Sequence, residues 1–566
     1  VWVEGEELQM TRPLGSAANM KGEYFIINVP PGIYSVSVSY MGYKQEIRTK
    51  VKVYVDKTTG VDFYLIPAVI EGEGVTVTAY RSPKVEKDRT ATKQVFDVSE
   101  VEMIAGVNDV SDLLDLQADV VDNHFRGGRE GESLYLLGGA AINNPLNASR
   151  SFTPIVTGLQ QVEVFTSGFS AEYGNAQSGV VNMVPKEGGE KWSTRLGYSM
   201  ELPHYDNWGG SPFSQEYMPF WEKLNNAEEW LALVDSSVDQ SAYLFHYSGY
   251  DDFLSDESTS SDSLYAARMA RADYVQALRD IGLQFDNNPV TRFDFSIGGP
   301  ISDKLRVFIA ARQSKSTPFV PMPHPNLTRQ WMSNLTAYLS SSDKLTLSLT
   351  YNDRFSNSIS DWFDRVFQSS KKTQSTVQYG VLWNHVINNS TFLNVSLNAL
   401  STYEEEHPEF LDPDRYTNTA GNGENTGTVQ LGYILEYKVK PTDFSMNKPV
   451  GKRGYEDTDS YSLNASMTSQ ISTNNMIKTG LQLQSYQIDV FSESNLKDVN
   501  QREWQDFTAH PYEGAIYIQD KMEFEGMIAN FGLRYDFYNF NTDYYIDQFR
   551  PLYNPLFTEG VGTVYD

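Results

Sequence analysis

From Lys191 onward apolar and polar residues alternate with a period of two, the pattern of strands that present one apolar and one polar face. Leu345, Leu347, Leu349 and Tyr351 alternate with Thr346, Ser348, Thr350 and Asn352; Leu393, Val395, Leu397 and Ala399 alternate with Asn394, Ser396 and Asn398. A soluble sandwich would turn the apolar face inward, whereas a membrane barrel turns it to lipid and lines its lumen with the polar face. The connections separate these two architectures. Tight turns at Ser302-Asp303-Lys304, Ser341-Ser342-Asp343, Asn388-Asn389-Ser390, Thr473-Asn474-Asn475 and Glu525-Gly526 alternate with long connections at 203–289, 314–326, 355–371, 403–456 and 491–512. Short turns at one rim and long loops at the other are expected of a transmembrane β-barrel. The pattern therefore predicts an antiparallel barrel wall over 191–566, with about eleven strands by Asn541.

The first 190 residues are organised differently. Residues 1–70 alternate as short strands, Tyr24 to Val29 and Tyr34 to Ser39, with turns at Lys21-Gly22, Pro30-Pro31-Gly32 and 56–60, and predict a β-sandwich. Residues 71–81 are a short β-branched segment between domains. Residues 82–190 predict a small α+β domain, with a helix near Val110–Asp119 capped at Asn108 or Ser111 and carrying Leu113, Leu114 and Leu116 into a core. Its last stretch, Thr166 to Gly189, sets glycines among strand-forming valines, which suits backbone passing close to backbone. Beyond it, Leu264 to Ile281 in the first long loop has helical spacing, and the acidic, serine-rich run 251–262 lacks the ligand order and central glycine of a calcium loop.

Composition narrows the function classes. A formal net charge of −28 argues against a nucleic-acid partner, whose binding depends on clustered cations. The absence of cysteine removes disulfides and thiolate metal sites. Aromatics at 13 % suit sheets and the aromatic girdles of a membrane barrel. No phosphate-binding glycine loop, His-Glu-x-x-His or Gly-x-Ser-x-Gly occurs and the His residues are scattered, so no catalytic residues, no metal site and no cofactor are assigned and the chain reads as a non-enzyme.

The run Gly168-Phe169-Ser170-Ala171-Glu172-Tyr173-Gly174-Asn175-Ala176-Gln177-Ser178-Gly179-Val180-Val181-Asn182 resembles the end of the plug domain of TonB-dependent outer-membrane receptors. The resemblance extends upstream through Phe125 to Glu130, Ile142-Asn143-Asn144-Pro145 and Gln161 to Val164, with one departure: Leu137-Gly138-Gly139 stands where the family usually has an aspartate before a single glycine. Gly22 to Val36, GEYFIINVPPGIYSV, resembles the carboxypeptidase-regulatory-like domain, whose first strand would lie before Val1. Phe295 to Ile301, Ile516 to Lys521 and Gly532 to Asp536 resemble the Oar-like subgroup that carries this domain. Val75-Thr76-Val77-Thr78-Ala79 resembles the TonB box.

The resemblance implies an all-β-dominated chain: a regulatory-like sandwich at 1–70, a TonB-box linker at 71–81, a plug at 82–190, and at 191–566 about half of a twenty-two-stranded barrel, truncated at both ends. It further implies an outer-membrane location in a Gram-negative bacterium, with the N-terminal domain and plug on the periplasmic side. Expected partners are membrane lipid, the C-terminal domain of TonB, an unidentified extracellular ligand and, as a further candidate, a surface lipoprotein. TonB would bind Val75, Thr76, Val77, Thr78 and Ala79, which are expected to stay extended and mobile. Arg126, Arg129 and Glu172 would contact the wall, Arg126 through carboxylates there, and Asn143, Asn144 and Arg150 in the apical loops would touch ligand. The implied function is TonB-driven import; the alternative is an adhesion or surface-assembly protein that keeps the fold without transport.

Overall fold

A computed structural model describes most of residues 1–67, 92–202, 289–408 and 453–541, and the secondary structure at 75–77, 437–439 and 444–446. Thr78, Ala79, the run 251–262 and the helical pattern at 264–281 lie outside the described residues.

The N-terminal strands β1 (Trp2–Gly5), β2 (Leu14–Gly15), β3 (Gly32–Val38), β4 (Glu46–Val53) and β5 (Val75–Val77) form one sheet in the order β2-β1-β3-β4-β5. Val3, Tyr34, Val36, Val51 and Val61 are its core, with Ile26, Val29 and Phe63 packed against them. The alternating run at 24–27 makes no ladder; Tyr24 instead donates its hydroxyl to the Val61 carbonyl at 2.6 Å and lays this segment onto the core.

The second unit has a five-stranded sheet in the order β10-β9-β12-β11-β6, built from β6 (Thr92–Asp97), β9 (Ser133–Leu137), β10 (Ala140–Ala141), β11 (Leu159–Ser167) and β12 (Gly179–Pro185). A small hairpin of β7 (Val120–Val121) and β8 (His124–Phe125) and the helix α1 (Val110–Asp115) pack beside it. The helix cap is Asp109, not Asn108 or Ser111. Its carboxylate accepts from the N–H groups of Ser111 (2.7 Å) and Asp112 (3.2 Å), while Asp112 reaches back to the Asp109 N–H at 3.0 Å. The helix ends one residue before Leu116, which sits at the C-cap and is exposed; only Leu113 and Leu114 enter the core.

The remaining strands are β13 (Ser193–Glu201), β14 (Val290–Ser302), β15 (Leu305–Ser316), β16 (Asn326–Tyr338), β17 (Asp343–Ser358), β18 (Ser370–Asn388), β19 (Thr391–Pro408), β20 (Tyr437–Val439), β21 (Phe444–Met446), β22 (Arg453–Gln470), β23 (Asn475–Ser494), β24 (Glu503–Ala509), β25 (Tyr512–Phe524) and β26 (Met527–Asn539). Leaving aside the separate hairpin β20–β21, they make one antiparallel sheet running from β13 to β26. Strands β24 and β25 both pair with β23, end to end across His510 and Pro511, and so count as one crossing. Proline has no N–H to give the ladder, which accounts for the break. The described wall thus has eleven crossings, as the alternation predicts.

The faces also follow the alternation. Leu347 and Leu397 point outward and are 41 % and 54 % exposed to what would be lipid, whereas Thr350, Asn352 and Ser396 point inward and are buried. Apolar partners continue across the strands, Leu347 beside Val381, Leu397, Leu463 and Leu483, so the outer surface is a belt and not scattered residues.

Strands extend farther at the looped rim than the sequence reading allows. The connections expected from Phe355, Tyr403 and Phe491 begin only after Ser358, Pro408 and Ser494. Charge explains the misreading: Arg453 donates to Glu493 at 2.7 Å, Lys372 pairs with Glu404, and the Tyr403 and Tyr455 rings stack at 6.3 Å. Outside hydrocarbon a charged rung pairs across strands as well as an apolar one.

The two faces differ in what they tolerate. Leu397→Lys should lower the stability of the folded wall by about 2–4 kcal/mol near the bilayer midplane, and Ser396→Lys by far less, measured as folding into liposomes against urea. Equal costs on both faces would contradict the outward assignment of Leu397.

Candidate functional site

The plug meets the lumen through an apolar patch, where its core packs on Phe308, Ala310, Met332 and Leu400, and through groups of polar contacts, the first centred on the loop before β12. The Lys478 ammonium on β23 pairs with the Glu172 carboxylate, whose other oxygen accepts from Ser170 at 2.9 Å. Arg534 on β26 donates to the carbonyls of Ala171 (3.3 Å) and Glu172 (3.1 Å), and Gln482 also donates to the Glu172 carbonyl at 3.1 Å. Asn175 donates to Glu513 on β25 at 3.1 Å. A Cβ added to Gly532 would stand 2.6 Å from that of Ala171, so glycine there lets the wall approach the loop.

A second group of contacts holds the exit from plug to wall. Lys344 donates to Glu187 at 2.6 Å, Asn334 donates to the Lys186 carbonyl at 2.6 Å, and Arg306 lies 3.8 Å from Glu190. A Cβ on Gly188 would meet the Val307 carbonyl oxygen at 2.5 Å, so this turn requires glycine. Burial pushes the Lys186 ammonium below and the Glu190 carboxyl above their ordinary ranges. Near the looped rim Arg292 donates to Asn108 at 2.9 Å and Gln330 to the Thr153 carbonyl at 2.6 Å.

Of the three residues expected at this interface, Glu172 meets the wall. Arg126 does not: it lies in the left-handed region (φ 51°), followed by Gly127 (φ 74°), and this turn brings its guanidinium back to Asp119 of the plug itself at 3.3 Å. Arg129 gives its backbone N–H to Glu132 at 3.0 Å. Neither arginine forms an ion pair or hydrogen bond with the wall among the described residues. The wall partners Lys478 and Arg534 went unread in the sequence. For Lys478 the signal was a lone cation at a lumen position of an otherwise uncharged polar face, beside Gly480, Gln482 and Gln484.

The apical residues expected to touch ligand hold the plug together. Asn143 accepts from the Tyr135 N–H (2.9 Å) and donates to the carbonyls of Ser133 (2.9 Å) and Ala148 (2.7 Å). Asn144 accepts from the Leu146 N–H at 2.8 Å. Arg150 donates to Ser111 at 2.7 Å and lies over the Tyr135 ring at 5.1 Å. Gly138 and Gly139, the departure noted in the sequence, form the two-residue turn between β9 and β10, with φ of 60° and 83°. A turn of that length calls for positive φ at both positions, which a pair of glycines supplies.

Val75–Val77, the described part of the segment expected to bind TonB, are extended, and they are paired: they run parallel to β4, with Glu46 opposite Val75, Ile47 opposite Thr76 and Arg48 opposite Val77. The segment is thus extended, as expected, and is held as a paired edge strand. A β-branched segment next to a sheet with an open edge satisfies its backbone there. The next strand in the chain, β6, is the edge of the plug sheet, and its Lys93 reaches the fully buried Glu163 at 2.7 Å, which also accepts from Asn182 at 2.9 Å.

Between the hairpin β9–β10 and strands β17 to β25 lies a cavity of about 960 Å3, to which the plug presents Asn143, Asn144 and Asn182.

A plug threaded against the inside of an antiparallel wall, with the sequence runs that carry it, invites comparison with known proteins. No family profile matches the chain. It is 21 % identical over 203 residues to the TonB-dependent transporter Oar of Myxococcus xanthus, a match covering 34 % of this chain and 18 % of that protein. The chain resembles a TonB-dependent outer-membrane receptor. With its lipid-facing belt, that resemblance gives it a place in the outer membrane of a Gram-negative bacterium. Among solved structures, the siderophore receptor PirA from Pseudomonas aeruginosa aligns with a TM-score of 0.47 at 11 % identity, covering 80 % of this chain and 56 % of that one. The outer membrane transporter YddB from Escherichia coli aligns with a TM-score of 0.47 at 12 % identity, covering 79 % and 56 %. The chain thus spans little more than half the length of these receptors.

The contact between Glu172 and Lys478 should behave as a coupled pair. Glu172→Gln and Lys478→Met should each lower the urea midpoint for release of the plug, followed by protease access. In the double variant the losses should fall short of additive by about 0.5–3 kcal/mol. Strict additivity would mean that the two side chains do not hold the plug jointly.

Proposed function

We propose that the chain is the plug-bearing part of a receptor that binds a ligand at the cell surface and imports it through the barrel when TonB pulls on Val75 to Ala79. The observation that carries this reading is the way the plug's 170–175 loop is seated. Its loop at 170–175 is held by single side chains from the wall, Lys478, Gln482, Glu513 and Arg534, and not by a continuous apolar interface. A seat of that kind can be released and remade, because each hydrogen bond given up to water costs only about 0.5–1.5 kcal/mol net, or about 1.5–3 kcal/mol where a charged group takes part.

The order of the chain fits the same reading. The extended segment Val75–Val77 comes first, then the plug's edge strand β6, then the strands that fill the plug core. A pull on the segment would reach β6 before anything else, and an edge strand in antiparallel pairing peels one hydrogen bond at a time. The β5 strand ends its sheet, so a partner strand can add at its outer side or take the place of β4. In both cases main-chain hydrogen bonds would supply the affinity.

Proline at Val77 removes one N–H and fixes φ, and should abolish strand addition. Energised uptake should be lost while binding at the outer surface is retained. Thr78→Ala keeps the backbone donors and should be mild. Uptake by Val77→Pro at the normal rate would put the adhesion or assembly reading ahead.

A further inference from the structure

The cavity beside the plug has a lining that points to the class of ligand, and the inference drawn from it rests on the receptor reading above. Two neighbouring rungs of the wall cross it. One runs through Ser348, Gly380, Asn398, Ser462 and Gln484 on β17, β18, β19, β22 and β23. The other runs through Thr346, Leu382, Ser396, Asn464 and Gln482 on the same strands. Neither contains a charge. Gly380 stands between Ser348 and Asn398, where a Cβ would collide with the serine hydroxyl, so the row stays open at its middle.

The charged groups that do line the cavity are already engaged. They are Glu172, Glu187, Lys478, Glu513, Arg534 and Asp536. Lys478 pairs with Glu172, Lys344 with Glu187, and Arg534 with Asp536 at 2.7 Å. Glu513 accepts from the Tyr486 hydroxyl at 2.6 Å and from Asn175. An anionic chelate entering here would find its cations committed to holding the plug. A charged ligand would lose its hydration and gain no counter-charge, which is unfavourable.

What the lining offers instead is a set of hydroxyls and amides beside the rings of Tyr173, Tyr486, Tyr517 and Tyr538; Gln482 is committed to the plug, but Asn398 and Asn464 hold their serine neighbours only at 3.3–3.5 Å and keep their carbonyl oxygens as acceptors. A pyranose matches this combination: its hydroxyls exchange hydrogen bonds with Asn, Gln and Ser, and its C–H face lies on an aromatic ring. A polypeptide segment with charged side chains would find no uncommitted counter-charge among the described residues of the lining. We propose that the cavity between the β9–β10 hairpin and strands β17 to β23 binds an uncharged oligosaccharide on its way past the plug.

The test is calorimetric titration of the full gene product in detergent micelles, without TonB or an energy source. Probes are maltohexaose, cellohexaose and mannohexaose, the anionic hexagalacturonate, and an uncharged hexapeptide of glycine and serine. At least one neutral hexaose should bind about ten-fold or more tightly than hexagalacturonate or the peptide. Asn398→Ala with Asn464→Ala should weaken it about ten-fold, the loss of one or two hydrogen bonds. Gln484→Ala should weaken it in the same direction if the double variant does not fold, and Leu397→Ala on the lipid face should leave binding unchanged. Failure of every neutral hexaose, equal binding of the acidic sugar or the peptide, or indifference to both lumen variants would overturn the proposal. Because TonB is absent, failure here leaves the energised-uptake reading intact, and a failure of that reading shows in uptake by Val77→Pro and not in this titration.

Discussion

Hydrocarbon offers no hydrogen-bond partner, and an unpaired backbone N–H or C=O within it costs several kcal/mol. Each crossing of the wall must therefore be paired with its neighbours along its length, which fixes the register, and the register fixes which side chains see lipid. The apolar belt through Leu347, Val381, Leu397 and Leu463 and the polar rungs through Ser348, Asn398 and Ser462 are two faces of one ladder. The lumen is polar because the outside cannot be. That polar interior lets the plug be held by discrete hydrogen bonds, and it leaves a space lined by amides and hydroxyls.

The plug answers a different demand: it must fill the lumen yet be releasable. Its own core is apolar and runs into the wall at Phe308, Ala310, Met332 and Leu400. The loop at 170–175 and the exit at 186–190 are held by cations and amides of the wall. Glycines stand where backbones must touch, Gly188 against Val307 and Gly532 against Ala171. The buried pair of Lys93 and Glu163 joins the edge strand to the centre of the sheet. Removing that strand would leave a fully buried carboxylate without its cation, which is strongly destabilising. The path of the chain thus places a costly contact directly after the segment proposed to be pulled.

The wall was legible in the sequence because period two, together with turns short at one rim and long at the other, leaves few alternatives. The inward and outward assignments at 345–352 and 393–399 followed from that pattern alone. What was not legible depended on partners distant in the chain. Glu172 could be named, but Lys478 lies 306 residues away and is an ordinary lysine until the register places it in the lumen. Arg126 was assigned a wall carboxylate because its guanidinium suits one, and the left-handed turn at 126–127 that redirects it leaves no mark beyond a pair of glycines. The segment at Val75 was read as free because nothing local to it indicates that β4 has an open edge.

The segment at Val75 to Ala79 is proposed to be the handle by which an energy-coupling protein moves the plug. The most direct measurement is titration of the isolated TonB C-terminal domain into the full gene product in micelles, with a synthetic peptide of residues 71–81 as competitor. Binding should be one-to-one, should be displaced by the peptide and should strengthen when Glu172→Gln loosens the plug. No binding, or binding the peptide cannot displace, would contradict the proposal.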